Sequence, residues 1–212
     1  MLQFNSALLA AVGSFTGDYA PYQSVHIRPH CGGVLLVASD HGKVTAVGFD
    51  RQGRADETAT IIPSNELLKA CAGIKTAERG ITIDGDIALV TTYYKASSNK
   101  GKELPIQRAV APFPEIDNAL AACVQRWGST PKLSETAGRY RVAYLERAIK
   151  AAGLLTDSLV LSAFDGGPLR LQGETIELIV MVMPQTAEPI PALPGWIQEF
   201  SRQNACQVLQ SS

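Results

Sequence analysis

Long apolar runs are missing from this sequence. The longest, such as Ala7 to Val12 and Leu178 to Met183, stop far short of the roughly 20 residues that a membrane-crossing helix needs, so no membrane partner is expected. The opening Met1-Leu2-Gln3-Phe4 has neither a basic start nor a long apolar middle, which argues against a secretory signal and for a cytoplasmic protein. Cysteine is sparse as well. Cys31, Cys71, Cys123 and Cys206 are scattered, without the close spacings of a zinc site or a disulfide framework, and are expected to be reduced and structural. Excess charge of either sign is lacking: a net charge of -1 argues against a globally basic nucleic-acid binder and leaves only local patches for any contact with phosphate. Motifs that carry chemistry are also scarce. His26, His30 and Cys31, with Pro29 between them, have no accepted metal-ligand spacing. No serine or cysteine sits in a strained-turn nucleophile motif beside a base and an orienting acid. No cofactor, metal or catalytic residue is expected, and the chain is read as non-enzymatic.

What the chain does have is material for a core and a repeated unit. With 212 residues, 46% hydrophobic and 18% charged, it can bury one good core or two small ones. The unit is a short helix, a polar break, and alternating apolar strands. In the first copy Asn5 caps a helix through Val12 that stops at Gly13. Strands follow at Tyr22 to Arg28, Gly33 to Ser39 and Lys43 to Asp50, the last two joined by the tight turn Asp40-His41-Gly42. The second copy has a strand at Thr58 to Ile62 and a helix opened by Pro63-Ser64-Asn65-Glu66 and ended at Gly73. Its strands are Gly80 to Asp84, Ile87 to Tyr94 and Glu103 to Val110, the last at an edge because Pro105 cannot donate to a ladder.

Phe113 to Trp127 breaks this rhythm. Ile116, Ala119, Leu120, Cys123, Val124 and Trp127 have the spacing of an amphipathic helix. The third copy then places a loop at Gly128 to Gly138, a helix at Ala143 to Ala152, and strands at Ser158 to Ala163, Leu169 to Gln172 and Thr175 to Met183. Pro189, Pro191 and Pro194 mark a linker, and Gly195 to Leu209 reads as a short terminal helix whose Trp196 to Phe200 stretch is amphipathic and able to fold over a pocket. The whole predicts an α+β fold of short helices on antiparallel sheet.

In this order the residues resemble the bacterial DNA polymerase III beta subunit, the sliding clamp. Ala38-Ser39-Asp40-His41-Gly42-Lys43-Val44 stands where that family has A-T-D-G-H-R-L. Ile61-Ile62-Pro63 is similar to its strand-to-helix V-P, and Phe113-Pro114-Glu115 to the F-P-D that closes its middle domain. Tyr140-Arg141-Val142-Ala143-Tyr144-Leu145 resembles F-N-V-x-Y-L of its last domain, and Val182-Met183-Pro184 its terminal V-M-P. The resemblance implies a clamp-like domain at 1–115, a truncated one at 116–184 in which Ile116 to Trp127 stands for the first helix, and a tail at 185–212. The family's first domain has no counterpart; four such chains would supply the six domains of its ring, and an open assembly that closes no ring fits the resemblance equally.

The resemblance further implies a DNA-replication accessory (processivity) protein, a homo-oligomer that contacts duplex DNA through basic residues on its helices. Those would be Lys69, Arg147 and Lys150; the first helix offers none, and the same charges suit any solvated helix face. A pocket for the clamp-binding peptides of replication proteins would use Tyr22, Ser39, His41, Gly42, Lys43 and Val44, together with Pro63, Leu67, Gly167, Met181 and Met183. His41-Gly42 reverses the family's order, and Leu67, Met181 and Met183 equally fit a core. The other reading is a clamp-derived protein-binding module that does not encircle DNA.

Overall fold

Alternation of buried Leu2 and Phe4 with exposed Gln3 and Asn5 makes the first residues a strand, β1 (Leu2–Asn5). The chain then turns directly into α1 (Ser6–Gly13), because the Asn5 side chain accepts the Ala7 N–H at 2.9 Å. The structure, a computed structural model, describes residues 1–73, 78–93, 100–129, 136–164, 167–173, 177–189, 191–192 and 194. The expected terminal helix at 195–209, with Trp196 to Phe200, lies outside the described residues.

Three strands complete the first unit: β2 (Val25–His30), β3 (Gly33–Asp40) and β4 (Val44–Asp50). A two-residue strand, β5 (Arg54–Ala55), precedes the second unit, which runs β6 (Ala59–Ile62), α2 (Asn65–Ala72), β7 (Glu78–Asp84), β8 (Ile87–Tyr93) and β9 (Lys100–Pro105). Ser64 caps α2 by accepting the Leu67 N–H at 3.1 Å, and Gly73 ends it at φ 53, a left-handed value that costs glycine little. The single strand expected at 103–110 is two. Ile106 donates its N–H to the Asp86 carbonyl, and Gln107 and Arg108 pass to the other sheet as β10 (Gln107–Arg108). Both β9 and β10 are edge strands, as Pro105 requires.

The two units exchange their first strands. β1 pairs with β7 of the second unit, while β6 pairs with β2 of the first, so neither unit closes without the other. The result is a five-stranded antiparallel sheet, β5-β1-β7-β8-β9, and a larger one that starts β10-β6-β2-β3-β4.

The remaining elements are α3 (Asp117–Ser129), β11 (Thr136–Arg139), α4 (Val142–Ala152), β12 (Val160–Ser162), β13 (Leu169–Gln172), β14 (Leu178–Val182) and β15 (Thr186–Pro189). β14 joins β4 with Val180 opposite Ala46 and Val182 opposite Val44, which extends the larger sheet to eight strands ending β14-β13-β12. β11, inside the stretch expected to be a loop, forms a separate ribbon with β15.

Alternation and register sort the eight-stranded sheet into two faces. Val34, Leu36, Ala38, Val44, Ala46, Val180 and Val182 are buried on one of them, beneath α1 and α4. Gly48 belongs there too: a Cβ at that position would stand 2.9 Å from Val12 and 3.2 Å from Leu8, so its absence lets α1 approach the sheet. α2 and α4 both pack on α1, and these three helices form one layer. α3 does not join them. The expectation that Ile116 to Trp127 stands for the first helix of the last domain is corrected here, because its partners Leu35, Val47, Ile179 and Met181 project from the opposite face of the sheet.

Candidate functional site

On the face away from the helical layer, β2 presents His26 and Arg28, β3 Leu35 and Val37, β4 Val47, and β14 Ile179 and Met181. Left uncovered this would be an apolar sheet face in water, yet Leu35, Val37 and Met181 are all buried. α3 is what covers them. Its first turn is held by a two-pronged ion pair, Arg28 Nη1 and Nη2 each donating at 2.8 Å to the Asp117 carboxylate. Just before it, Phe113 stacks on the His26 ring at 5.1 Å between centroids. At its far end Trp127 lies beside Phe164, with the Arg170 guanidinium 5.1 Å from the indole ring. Ile116, Leu120, Cys123 and Trp127 are half-buried, whereas Ala119 of the expected apolar stripe is exposed and Val124 lies largely exposed at the mouth of the groove. A cavity of about 290 Å³ remains between helix and sheet, lined by Leu35, Val47, Leu120, Val124, Trp127, Ile179 and Met181. A second, of about 350 Å³, opens around His26, Val37 and Phe113.

This packing shifts two titrations. Partial burial is the main cause that lowers the His26 pKa, helped by the Arg28 charge and opposed by Asp117. The Arg28 hydrogen bonds hold the Asp117 carboxyl below the usual carboxylate value. Because the fold prefers neutral His26, the unfolded chain takes up a proton first as pH falls below about 6.5, and stability is lost in that window. The urea midpoint should therefore drop more between pH 7.5 and 5.5 in the unaltered chain than in His26→Gln; equal drops would mean that His26 does not sense the fold.

The residues expected to form a peptide pocket gather along one end of the eight-stranded sheet, but they do not share one surface. Tyr22 lies in a short 3-10 turn, and its ring stacks on His41 at 4.9 Å. His41 and Gly42 take φ 52 and 70, so both central positions of the turn are left-handed. For His41 that conformation is offset by the stacking and by an Nε2 to Asp18 Oδ1 contact of 3.0 Å. Lys43 accepts the Met183 N–H through its carbonyl at 2.8 Å, which brings the exposed Met183 to the hairpin. Pro63 is half-exposed at the β6 end of the same rim. Ser39, Val44, Leu67 and Gly167, by contrast, are buried, and Met181 points to the face beneath α3. What forms an accessible rim is Tyr22, His41, Gly42, Lys43, Pro63 and Met183.

The expected phosphate contacts divide in the same way. Lys69 on α2 and Lys150 on α4 are exposed, the latter 2.8 Å from Glu146. Arg147 is not a surface cation, which corrects its expected role. It donates to the carbonyls of Ser14 and Thr16, pairs with Asp40 at 2.8 Å, and lies over the Phe15 ring. α1 is buried along nearly its whole length and exposes no charge. The exposed charges on the helical layer are thus Glu66, Lys69, Arg141, Glu146 and Lys150.

The cysteines divide too. Burial pushes the Cys71 thiol up to about 12 and raises that of Cys123, as suits inert thiols. Cys31 is exposed in the β2–β3 turn at φ 45 and so is not a core residue. A polar cleft of about 650 Å³ lies elsewhere, around Gln3, Asn5, Asp50, Arg54 and Tyr93, and contains none of the expected site residues.

No family model matches this sequence, and no curated protein matches it in sequence. Solved structures do match in shape. A PCNA of A. fulgidus, solved with the C-terminal region of FEN-1 bound, aligns over 91% of this chain and 100% of its own at TM-score 0.52 and 12% identity. The DNA polymerase III subunit beta of Borrelia burgdorferi aligns over 88% of this chain at TM-score 0.55 and 10% identity, and the DNA polymerase sliding clamp of Pseudomonas aeruginosa over 87% at 0.52 and 12%. The chain spans 64% and 65% of the length of those two bacterial proteins. The helical layer, the strand exchange between units and the sheet shared by β4 and β14 are thus the α+β architecture of the DNA sliding clamps.

Proposed function

We propose that this chain is a non-enzymatic replication accessory protein of the sliding-clamp type, which assembles with copies of itself, meets duplex DNA with its helical layer and holds replication proteins by peptide segments. One observation carries the reading: α1 and α4 lie on one face of the eight-stranded sheet, with α2 packed beside α1 in the same layer, while the other face and the rim present apolar and aromatic groups. Neighbours of this fold are sliding clamps, and one of them was solved with a peptide region of a second protein bound. The edge strand β12, with Val160 and Leu161 exposed, supplies a surface for pairing with another copy.

The charge on the helical layer sets how DNA would be held. The exposed cations of the layer, Lys69, Arg141 and Lys150, would neutralise about three phosphates per chain, a slope of about -2.7 in log affinity against log salt, which is weak. A tetramer would multiply the contacts to about twelve. Duplex binding should therefore require assembly, and each of Lys69→Glu and Lys150→Glu should flatten the salt dependence. Native mass and a salt titration of duplex binding test this together; a monomer without duplex affinity would overturn it. The near balance of Glu66 and Glu146 against Lys69, Arg141 and Lys150, an excess of one positive charge, favours a second reading, a protein-holding module that never encircles DNA, and the same monomer result would support it.

A further inference from the structure

Among the described helices, α3 has the sparsest backbone approach to the rest of the fold. α1 and α4 bury their sides against strands, but α3 touches the sheet chiefly through its two ends, Asp117 on Arg28 and Trp127 beside Arg170 and Phe164. Between those clasps half-buried Leu120 and largely exposed Val124 line the groove, and the cavity of about 290 Å³ remains open beneath them. Among the described residues no backbone hydrogen bond joins α3 to a strand. Two donors in the groove, Arg28 Nε and Trp127 Nε1, are buried without an acceptor. The helix connects β10 to β11 and belongs to neither sheet, so lifting it breaks no ladder.

We infer that α3 is a self-ligand: a displaceable strap that occupies the apolar groove of the outer sheet face and is exchanged for a partner's amphipathic helix of the same chemistry. That chemistry is written in α3 itself. An acidic residue pairs with Arg28, a leucine three positions on enters the groove beside Met181, and an aromatic ring ten positions on lies against Arg170. In the free chain the strap shields Leu35, Val37 and Met181 from water, and a partner must outcompete it. The inference rests on the proposed role of this face in holding peptides, but its test uses neither DNA nor a replication protein.

The probe is a labelled synthetic peptide of residues 113–129 of this chain. A released variant, Asp117→Asn with Leu120→Ser and Trp127→Ser, should bind it at least tenfold more tightly than the unaltered chain. Adding Arg28→Ala to that variant should cost at least tenfold. A released variant that keeps its circular dichroism spectrum yet binds no better than the unaltered chain would overturn the strap. Hydrogen exchange on the unaltered chain gives an independent arm: α3 amides should exchange at least 100-fold faster than those of α4 and β14, and equal protection would also overturn it. A chain that binds the peptide but neither assembles nor binds duplex DNA would keep the strap and reject the clamp reading.

Discussion

Arg147→Ala should lower the free energy of unfolding by about 2 to 3 kcal/mol, near the lower end of what breaking a buried ion pair costs, because the side chain keeps some solvent contact. The loss has three sources. Asp40, mostly buried at the β3–β4 hairpin, would be left with an unpaired carboxylate. The Ser14 and Thr16 carbonyls just beyond α1 would lose their donor. α1 carries no basic residue in its own last turn, so the guanidinium from α4 is the cation that answers its C-terminal dipole. Arg147→Lys should recover less than half of the loss, since an ammonium cannot reach three acceptors in the fork geometry. A double-mutant cycle with Asp40→Asn, followed by urea unfolding, measures the pair directly. A loss under about 0.5 kcal/mol, accompanied by weaker duplex binding, would return Arg147 to the phosphate-facing role.

Leu67→Ala should cost about 3 kcal/mol, as truncation of a fully buried leucine does when its surroundings cannot collapse. Leu67 and Met183 fit the same peptide pocket by resemblance, and the structure assigns them opposite tests. Leu67 is sealed within α2's buried side, above Cys71, whereas Met183 is 40% exposed on the rim. Met183→Ala should leave stability within about 0.5 kcal/mol and alter only what the rim binds. The urea midpoint of Leu67→Ala, with an unchanged slope, checks the first expectation. Retained stability together with altered peptide binding would place Leu67 at a binding surface after all.

Where hydrogen bonds close over a few residues, the sequence was legible. Asn5 and Gly13 bound α1, Ser64 and Gly73 bound α2, and Asp40-His41-Gly42 turns the β3–β4 hairpin, each through contacts within about four residues. β1 was missed because four residues at a chain start carry too short an alternation to separate from an unstructured end. β11 was missed because Thr-Ala-Gly-Arg has no strand signature, and its partner β15 lies some fifty residues on. In the candidate site the structure leaves Tyr22, His41, Lys43 and Met183 accessible on a rim and buries Ser39, Val44 and Leu67. A motif position carries residue identity and not exposure.

Sequence alone determined the repeated helix-and-strand unit, its caps and turns, and an α+β chain without an obvious catalytic motif. Only the tertiary structure decided that β1 and β6 exchange places, that α3 covers the sheet face away from the other helices, and that Arg147 faces carbonyls instead of solvent. The reason is physical. An amphipathic period says that a helix has one apolar side but not which sheet face will receive it. A guanidinium's surroundings depend on partners such as Asp40, 107 residues away, which meet it only when the chain has closed.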